Sequence, residues 1–390
     1  MIQIQVKKGR DKSLKRSHPW LFSGAIQTIH GKPVNGDVIQ VVDNEENILG
    51  VGYFGTGSIA VRMLAFDNEN VTGQSFWNNA IQKAYHRRVS LHIENSQTNC
   101  FRLVHGEGDN IPGLILDYYD GVVVFQAHNA GIYTFKNQII EAVKYTLGKK
   151  LKAIFHKPKE HSLDDSIPPI GFMFGDAETG NVLENGFSFK VDWMEGQKTG
   201  FFIDQRNNRN LMFQYAKDKT VLNTFCFTGG FSVYAAAAGA KEVVSIDISQ
   251  PAIEICKHNL QQNGFDSFAN NCKVADTFNV LKESGNMFDL IILDPPSFAK
   301  SMKNKNQATK GYRRLNELAF NQIKSGGVLF TFSCTQVVDR QLFEDTVLAA
   351  AITAGKSVKI LQRLGQPADH AINFFHPESE YLKGLVLWVE

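Results

Sequence analysis

The chain has 390 residues, 43% of them hydrophobic and 21% charged, with a formal net charge of +2. This balance excludes a disordered or collagen-like chain, and the length suggests about two or three domains. The near-neutral total hides two basic clusters. Residues 1–16 carry +5, through Lys7, Lys8, Arg10, Lys12, Lys15 and Arg16 against Asp11. Residues 298–314 carry +6 with no acid, which leaves the rest of the chain at −9. Such clusters read either as polyanion-binding patches or as ordinary solvated lysines. No stretch approaches the roughly 18 consecutive apolar residues of a membrane span, and no secretory signal opens the chain. Cys100, Cys226, Cys256, Cys272 and Cys334 are odd in number and lack CxxC spacing, which argues against a disulfide framework and a zinc site. The expectation is a cytoplasmic protein with no membrane partner and no metal.

Along residues 1–67, short apolar runs at 36–43, 48–54 and 59–64 are punctuated by Asn35-Gly36 and Gly55, the pattern of a small β-barrel. Ser17-His18-Pro19-Trp20 reads as a structural turn with a packed indole. Residues 75–94 suit an amphipathic helix with Phe76, Ala80, Ala84 and Val89 inward and Lys83, His86, Arg87 and Arg88 on a solvated face. Strands at 101–105, 113–119, 121–127 and 151–156, a helix near 132–147 and a strand pair near 182–192 make a small α+β unit. The Pro-, Asp- and Gly-rich segment 158–180 reads as a bounding loop. From about residue 187 the pattern becomes strand–helix–strand. Apolar strands at 220–226, 242–247, 289–293 and 327–333 alternate with helix-like segments at 231–239, 250–263 and 311–324, as in a doubly wound parallel sheet. The last ten residues read as a final strand.

Ligands of such sheets bind at the carboxyl ends of the strands. The first strand runs into Phe225-Cys226-Phe227-Thr228-Gly229-Gly230, a turn that is not GxGxxG, so a nicotinamide dinucleotide is disfavoured. The second ends in Ile246-Asp247-Ile248, where an acid can accept bonds from ribose hydroxyls or simply cap the next helix. A third acid, Asp276, follows another short strand. Together these suit an adenosine-containing ligand, and S-adenosylmethionine (SAM) better than NAD. The fourth strand ends in Asp294-Pro295-Pro296-Ser297, where two prolines freeze the backbone beyond the acid. The fifth ends at Cys334. Were these two strands neighbours, Asp294 and Cys334 would sit side by side about 5 Å apart.

Several longer motifs carry a resemblance over nearly the whole chain. HPWLFSGAI (18–26), VGYFGTGSIAVR (51–62), RLVHGEGDNIPGLILDYYD (102–120) and GQKTGFFIDQRNNR (196–209) are joined by FCFTGGFSVYAAAAGA (225–240), DPPSFAKS (294–301), TFSC (331–334) and YLKGL (381–385). In these the chain resembles the RlmI-type class I SAM-dependent methyltransferases, which methylate C5 of a cytosine in 23S ribosomal RNA. The resemblance implies a multidomain α/β protein. A PUA RNA-binding β-barrel would span 1–73, a central α+β domain 74–186, and a Rossmann-like class I methyltransferase domain 187–390.

It also implies roles. Phe225, Gly229, Gly230, Asp247, Ile248, Asp276 and Asp294 would lie about the cofactor, and residues 200–206 would close over the site. Whether Asp204 and Arg206 touch ligand or pair with each other stays open. Cys334 would be the nucleophile that adds to C6 of the base, with Asp294 beside it as the second catalytic group. Cys226, the rival cysteine, reads as packed. Many RNA cytosine-C5 methyltransferases carry a second cysteine after the fourth-strand proline; here that position is Ser297, as in this subfamily, so the group that removes the C5 proton is open. Lys300, Lys310, Arg313 and Arg314, in a run expected to stay mobile until RNA docks, would contact RNA phosphates. The partner would be 23S rRNA or a large-subunit assembly intermediate, and a homodimer is compatible with the resemblance. Two other readings stand beside this one. The first is a base-amine methyltransferase, which uses a D/N-P-P motif and no thiol; the second is a non-catalytic RNA-binding or ribosome-assembly factor.

Overall fold

The computed structural model describes residues 1–158, 170–283, 287–299 and 301–390. They form two compact units. Unit 1 comprises Met1–Asn185, Val191–Ile203 and Ala368–Ser379; unit 2 comprises Gly186–Lys190, Asp204–Pro367 and Glu380–Glu390. Among the described residues, no helix is long and apolar enough to cross a membrane.

Unit 1 opens with β1 (Ile2–Val6), β2 (Trp20–Phe22), β3 (Ile26–His30), β4 (Val38–Val42), β5 (Ile48–Phe54) and β6 (Ile59–Ala65), arranged as β2-β6-β5-β4-β1-β3. Their alternating apolar residues, among them Ile4, Val6, Leu21, Ile39, Val41, Val61 and Met63, meet in one cluster, as the two-residue strand period dictates. β5 lies so close to β6 that it needs two glycines: a Cβ at Gly50 or Gly52 would stand 2.2 Å from a backbone oxygen of β6.

A second sheet, β11-β10-β9-β8-β7, joins β7 (Cys100–His105), β8 (Leu114–Tyr119), β9 (Val122–Ala127), β10 (Ala153–His156) and β11 (Gly171–Phe174). Helices α1 (Gln74–Ser90) and α2 (Lys136–Leu147) bury Trp77, Ile81, Ile139 and Val143 in a core shared with Phe101, Leu116 and Phe125. Tyr53 of β5 belongs to the same core and donates its hydroxyl to the Pro112 carbonyl at 2.8 Å. Within the segment expected to be a loop, Gly171–Phe174 is a strand paired antiparallel with β10, while residues 159–169 lie outside the described residues. β12 (Gly180–Glu184) follows, and β13 (Phe187–Val191) stands where the chain passes to unit 2.

The face of α1 differs from the expected one. Val89 is exposed, and Arg88 is fully buried. Its two terminal nitrogens grip the Asp109 carboxylate, with Nη2 to Oδ2 at 2.7 Å. The guanidinium also donates to the carbonyls of Ala84, Arg102 and Asp369. All five N–H groups are thereby bonded, which lets a cation occupy a core position.

Unit 2 holds a seven-stranded sheet, β16-β15-β14-β17-β18-β20-β19. Its strands are β14 (Thr220–Thr224), β15 (Glu242–Asp247), β16 (Cys272–Val274), β17 (Phe288–Leu293), β18 (Ile323–Ser333), β19 (Val358–Leu364) and β20 (Lys383–Val389). The five from β14 to β18 are parallel, and β20 runs antiparallel between β18 and β19. Helices α3 (Gly230–Ala237), α4 (Gln250–Gln262), α5 (Lys305–Gln322) and α6 (Arg340–Thr353) connect them. α4 starts where Ser249 caps the Ala252 amide, and α6 where Asp339 caps that of Leu342. The basic run after the fourth strand is largely helical, since α5 begins at Lys305.

Removing the partner of Arg88 leaves an uncompensated buried charge. Asp109→Ala is expected to destabilise unit 1 by about 3–5 kcal/mol, against less than about 1 kcal/mol for Lys144→Ala in an exposed ion pair, as measured by urea unfolding.

Candidate active site

The carboxyl ends of β14, β15, β17 and β18 converge in unit 2. β14 runs into a loop whose backbone is held by three left-handed residues: Phe225 (φ 50°), Phe227 (φ 48°) and Gly229 (φ 82°). Two consecutive-but-one phenylalanines in that region cost conformational energy, and such strain concentrates at ligand sites. Asp247, the last residue of β15, holds the loop: Oδ2 accepts from the Phe227 amide at 2.9 Å and Oδ1 from the Ser249 amide at 2.9 Å. Asn259 of α4 donates to the Thr228 carbonyl. Gly229 and Gly230 are required by packing, because a Cβ would stand 2.5 Å from Cys256 Sγ and 2.8 Å from Arg209 Cδ respectively.

An adenosyl ligand fits this rim. Each Asp247 oxygen keeps a lone pair beyond its amide bond. Ile248 beside it is 76% exposed, an apolar side chain at a strand end left largely to solvent by the described residues. Asp276 is also exposed, and its Oδ1 accepts from the Asn279 amide as a helix cap.

On the other side of β14, β17 and β18 are adjacent, as expected, but in a different register. Leu293 pairs with Thr331, so Asp294 stands abreast of Phe332 and Cys334 lies two residues further on. The side-by-side placement of Asp294 and Cys334 is therefore corrected: Cys334 Sγ sits against Pro295, 3.9 Å from its carbonyl oxygen. A register irregularity between Phe288 and Leu290 takes up extra residues of β18; without it Asp294 would stand abreast of Leu329, further still from Cys334. Cys334 is the one cysteine of the five that is not buried. Cys226 is buried, and burial pushes its thiol pKa up.

Three further residues complete the site. Gln205 is buried and donates from Nε2 to Asp294 Oδ1 at 2.9 Å, while Asn208 holds its Oε1 at 2.6 Å. Asp204 accepts from the Tyr381 hydroxyl at 2.7 Å. Lys383, abreast of Ser333 on β20, is 2% exposed and donates to the carbonyls of Thr335 (2.9 Å) and Tyr381 (2.8 Å). Burial lowers its pKa to about 8, and a Cys334 thiolate acts in the opposite sense. The Thr335 hydroxyl meets those of Ser297 (3.1 Å) and Tyr312 (2.7 Å). Gln205 and Lys383 stand within the recognised DQR and YLKGL motifs, but no sequence signal told their roles.

Of the basic residues, Lys310, Arg313 and Arg314 are exposed on α5. Arg313 donates to Thr353 Oγ1 at 3.0 Å, and the Arg314 guanidinium lies 5.5 Å from the Phe278 ring centre. Lys300 lies outside the described residues.

Lys383 ties stability to pH. Its folded pKa near 8 lies below the unfolded value near 10.5, so the unfolded chain binds more protons between those limits and folding gains stability as pH rises. The stability of the wild type relative to Lys383→Met is expected to climb by up to about 1.4 kcal/mol per pH unit across pH 8–10, read from urea midpoints.

Residues 4–66 match a PUA-like domain, and residues 164–380 match an S-adenosylmethionine-dependent methyltransferase domain. A solved structure from Streptococcus mutans, assigned to the SAM-dependent methyltransferases, superposes with a TM-score of 0.86 at 24% identity, covering 99% of this chain and 100% of the other. A second, assigned as a methyltransferase and complexed with SAH, gives 0.84 at 23% identity over 99% and 100%. Curated proteins named ribosomal RNA large subunit methyltransferase I are 39% identical in Pseudoalteromonas translucida and 38% in Alteromonas mediterranea, each over 98% of both chains. The chain belongs to this family of SAM-dependent methyltransferases, with a PUA-like domain at its N-terminus.

Proposed function

We propose that this protein methylates C5 of a cytosine in 23S ribosomal RNA, through a covalent adduct between Cys334 and C6 of the base. The observation that carries the reading is a single accessible thiol at the end of β18, against the Asp-Pro-Pro end of β17. Phe225, Gly229, Gly230, Asp247, Ile248, Asp276 and Asp294 are the residues proposed to hold the cofactor; SAM, when bound, supplies the methyl group.

Cytosine C5 is a poor nucleophile until something adds at C6. Attack by the Cys334 thiolate forms the Sγ–C6 bond and moves the C5–C6 electron pair onto C5, which then takes the methyl. Loss of the C5 proton lets the double bond re-form and Cys334 leave. Asp294, oriented by Gln205, accepts from the N4 amine and, when it carries a proton, donates it to N3, where negative charge develops as Sγ adds to C6. Lys383, cationic below its lowered pKa, favours the thiolate over the thiol. The base must be single-stranded or flipped, because C5 and C6 both have to enter the pocket. Lys310, Arg313 and Arg314, with Lys300, are proposed to follow the RNA backbone and to supply affinity rather than sequence preference.

Cys334→Ala is expected to cut 5-methylcytosine formation by roughly 10³-fold or more while SAM affinity by calorimetry stays within about threefold. Undiminished turnover in that variant would exclude the adduct and favour methylation of a base amine. Failure of the wild type to bind SAM would leave an RNA-binding assembly factor. For the basic face, replacing Lys310, Arg313 and Arg314 by Gln should lower the slope of log affinity against log salt by up to about 3; an unchanged slope removes them from the interface.

A further inference from the structure

Within unit 1, the segment Ala368–Ser379 brings His376 and Glu378 to the entrance of β2, where His18 stands two residues before Trp20. The three side chains offer donor atoms that all lie within 4.8 Å of one another. His376 is 1% exposed, and neither of its ring nitrogens has a hydrogen-bond partner. A buried polar group left so destabilises the fold, and an occupant that bonds it recovers that loss.

The spacing points to what the occupant is. Nε2 of His18 and Nε2 of His376 each stand 3.7 Å from the same atom, Oε2 of Glu378. That is too long for a hydrogen bond. Two donors held at about 2.0–2.2 Å by one tetrahedral ion are themselves about 3.4 Å apart, so Glu378 has only a few tenths of an ångström to move towards each nitrogen, and the two imidazoles, within 4.8 Å of each other, close the set by side-chain rotation. The rings are already oriented. The Trp20 indole packs edge-on against His376 with centroids 4.2 Å apart, and its Nε1 donates to Glu107 Oε1 at 2.9 Å. Nδ1 of His18 lies 3.3 Å from the Trp20 carbonyl and 3.2 Å from the Trp20 amide; the tautomer that donates to the carbonyl leaves Nε2 free to ligate. Burial lowers the pKa of His376 and keeps its ring in the neutral, ligating form.

We propose that His18, His376 and Glu378 form a site for a divalent transition metal, zinc in the first instance, which clips the segment carrying His376 onto the start of β2. Two imidazoles and one carboxylate select zinc-like ions over magnesium or calcium, which prefer all-oxygen shells. The Glu378 side chain is 53% exposed, so a water from solvent can fill the fourth position. The ligands come from opposite ends of the chain, which is why no spacing motif announces them.

The test is calorimetric titration of the untagged, chelator-treated full-length protein with zinc chloride, beside thermal melts and the visible spectrum with cobalt(II). One equivalent is expected to bind more tightly than about 10 µM and to raise Tm, and cobalt should give the intense visible bands of a tetrahedral site. Glu378→Gln, at a position open to solvent, and His18→Gln, at a partly buried one, should each weaken zinc by at least about tenfold and abolish the Tm rise. Magnesium chloride should do neither. The absence of stoichiometric zinc binding overturns the proposal, as does binding that both variants leave unchanged.

Discussion

A single buried guanidinium organises unit 1. Arg88 spends its five donors on four separate pieces of chain: its own helix, β7, the turn around Asp109 and the segment beginning at Ala368. The Asp369 carboxylate answers by accepting from the Arg102 amide at 3.0 Å. Neither charge is cheap to desolvate, so this arrangement stands only when all members are present. Its value is geometric. Once Asp369 is held, the nine residues that follow it are short enough to have little choice of path, and His376 and Glu378 arrive beside His18 and Trp20.

In unit 2 the equivalent constraint is the parallel register of β14, β15, β17 and β18. Parallel strands deliver their carboxyl ends to one edge of the sheet, and the chemistry is collected there from segments distant in sequence. What the strand ends do not supply by themselves is orientation. Asp247 ties the strained loop to its own turn through the amides of Phe227 and Ser249, Gln205 and Asn208 aim Asp294, and Lys383 is locked by two carbonyls beside the residue that precedes Cys334. Asp247, Asp294 and Lys383 are each held by hydrogen bonds at or near a strand end, the kind of fixing that preorganises a site.

The strands that were most legible are those with dense apolar runs between turn residues: β5 at Ile48–Phe54 and β15 at Glu242–Asp247 have the expected limits. β3, with most of its residues exposed, offered no such run, and β19 alternates too weakly to be picked out. Asp247, Asp294 and Cys334 were visible because strand ends and an Asp-Pro-Pro step mark them. Their relative placement was not, since the stagger between two parallel strands is set by how they pair, which neither strand's own sequence states. Arg88 departs from the expected solvated face for a general reason. A cation one turn beyond Ala84 looks solvated unless its carboxylate, twenty-one residues away in the chain, is known to meet it. Gln205 and the partners of Lys383 were hidden in the same way, as contacts rather than patterns.

The interior position of β20 has a consequence for how the molecule is made. Between β19 and β20 the chain leaves the sheet of unit 2 for the twelve residues of Ala368–Ser379 and then returns. β20 fills the gap between β18 and β19, antiparallel to both. Until the segment beyond residue 380 is synthesised, those two strands present open edges to other nascent chains, and the pairing that closes them is long-range and slow. The period of greatest exposure to misassembly thus falls late in translation. The strand that ends it is the one that sets Lys383 abreast of Ser333, next to Cys334.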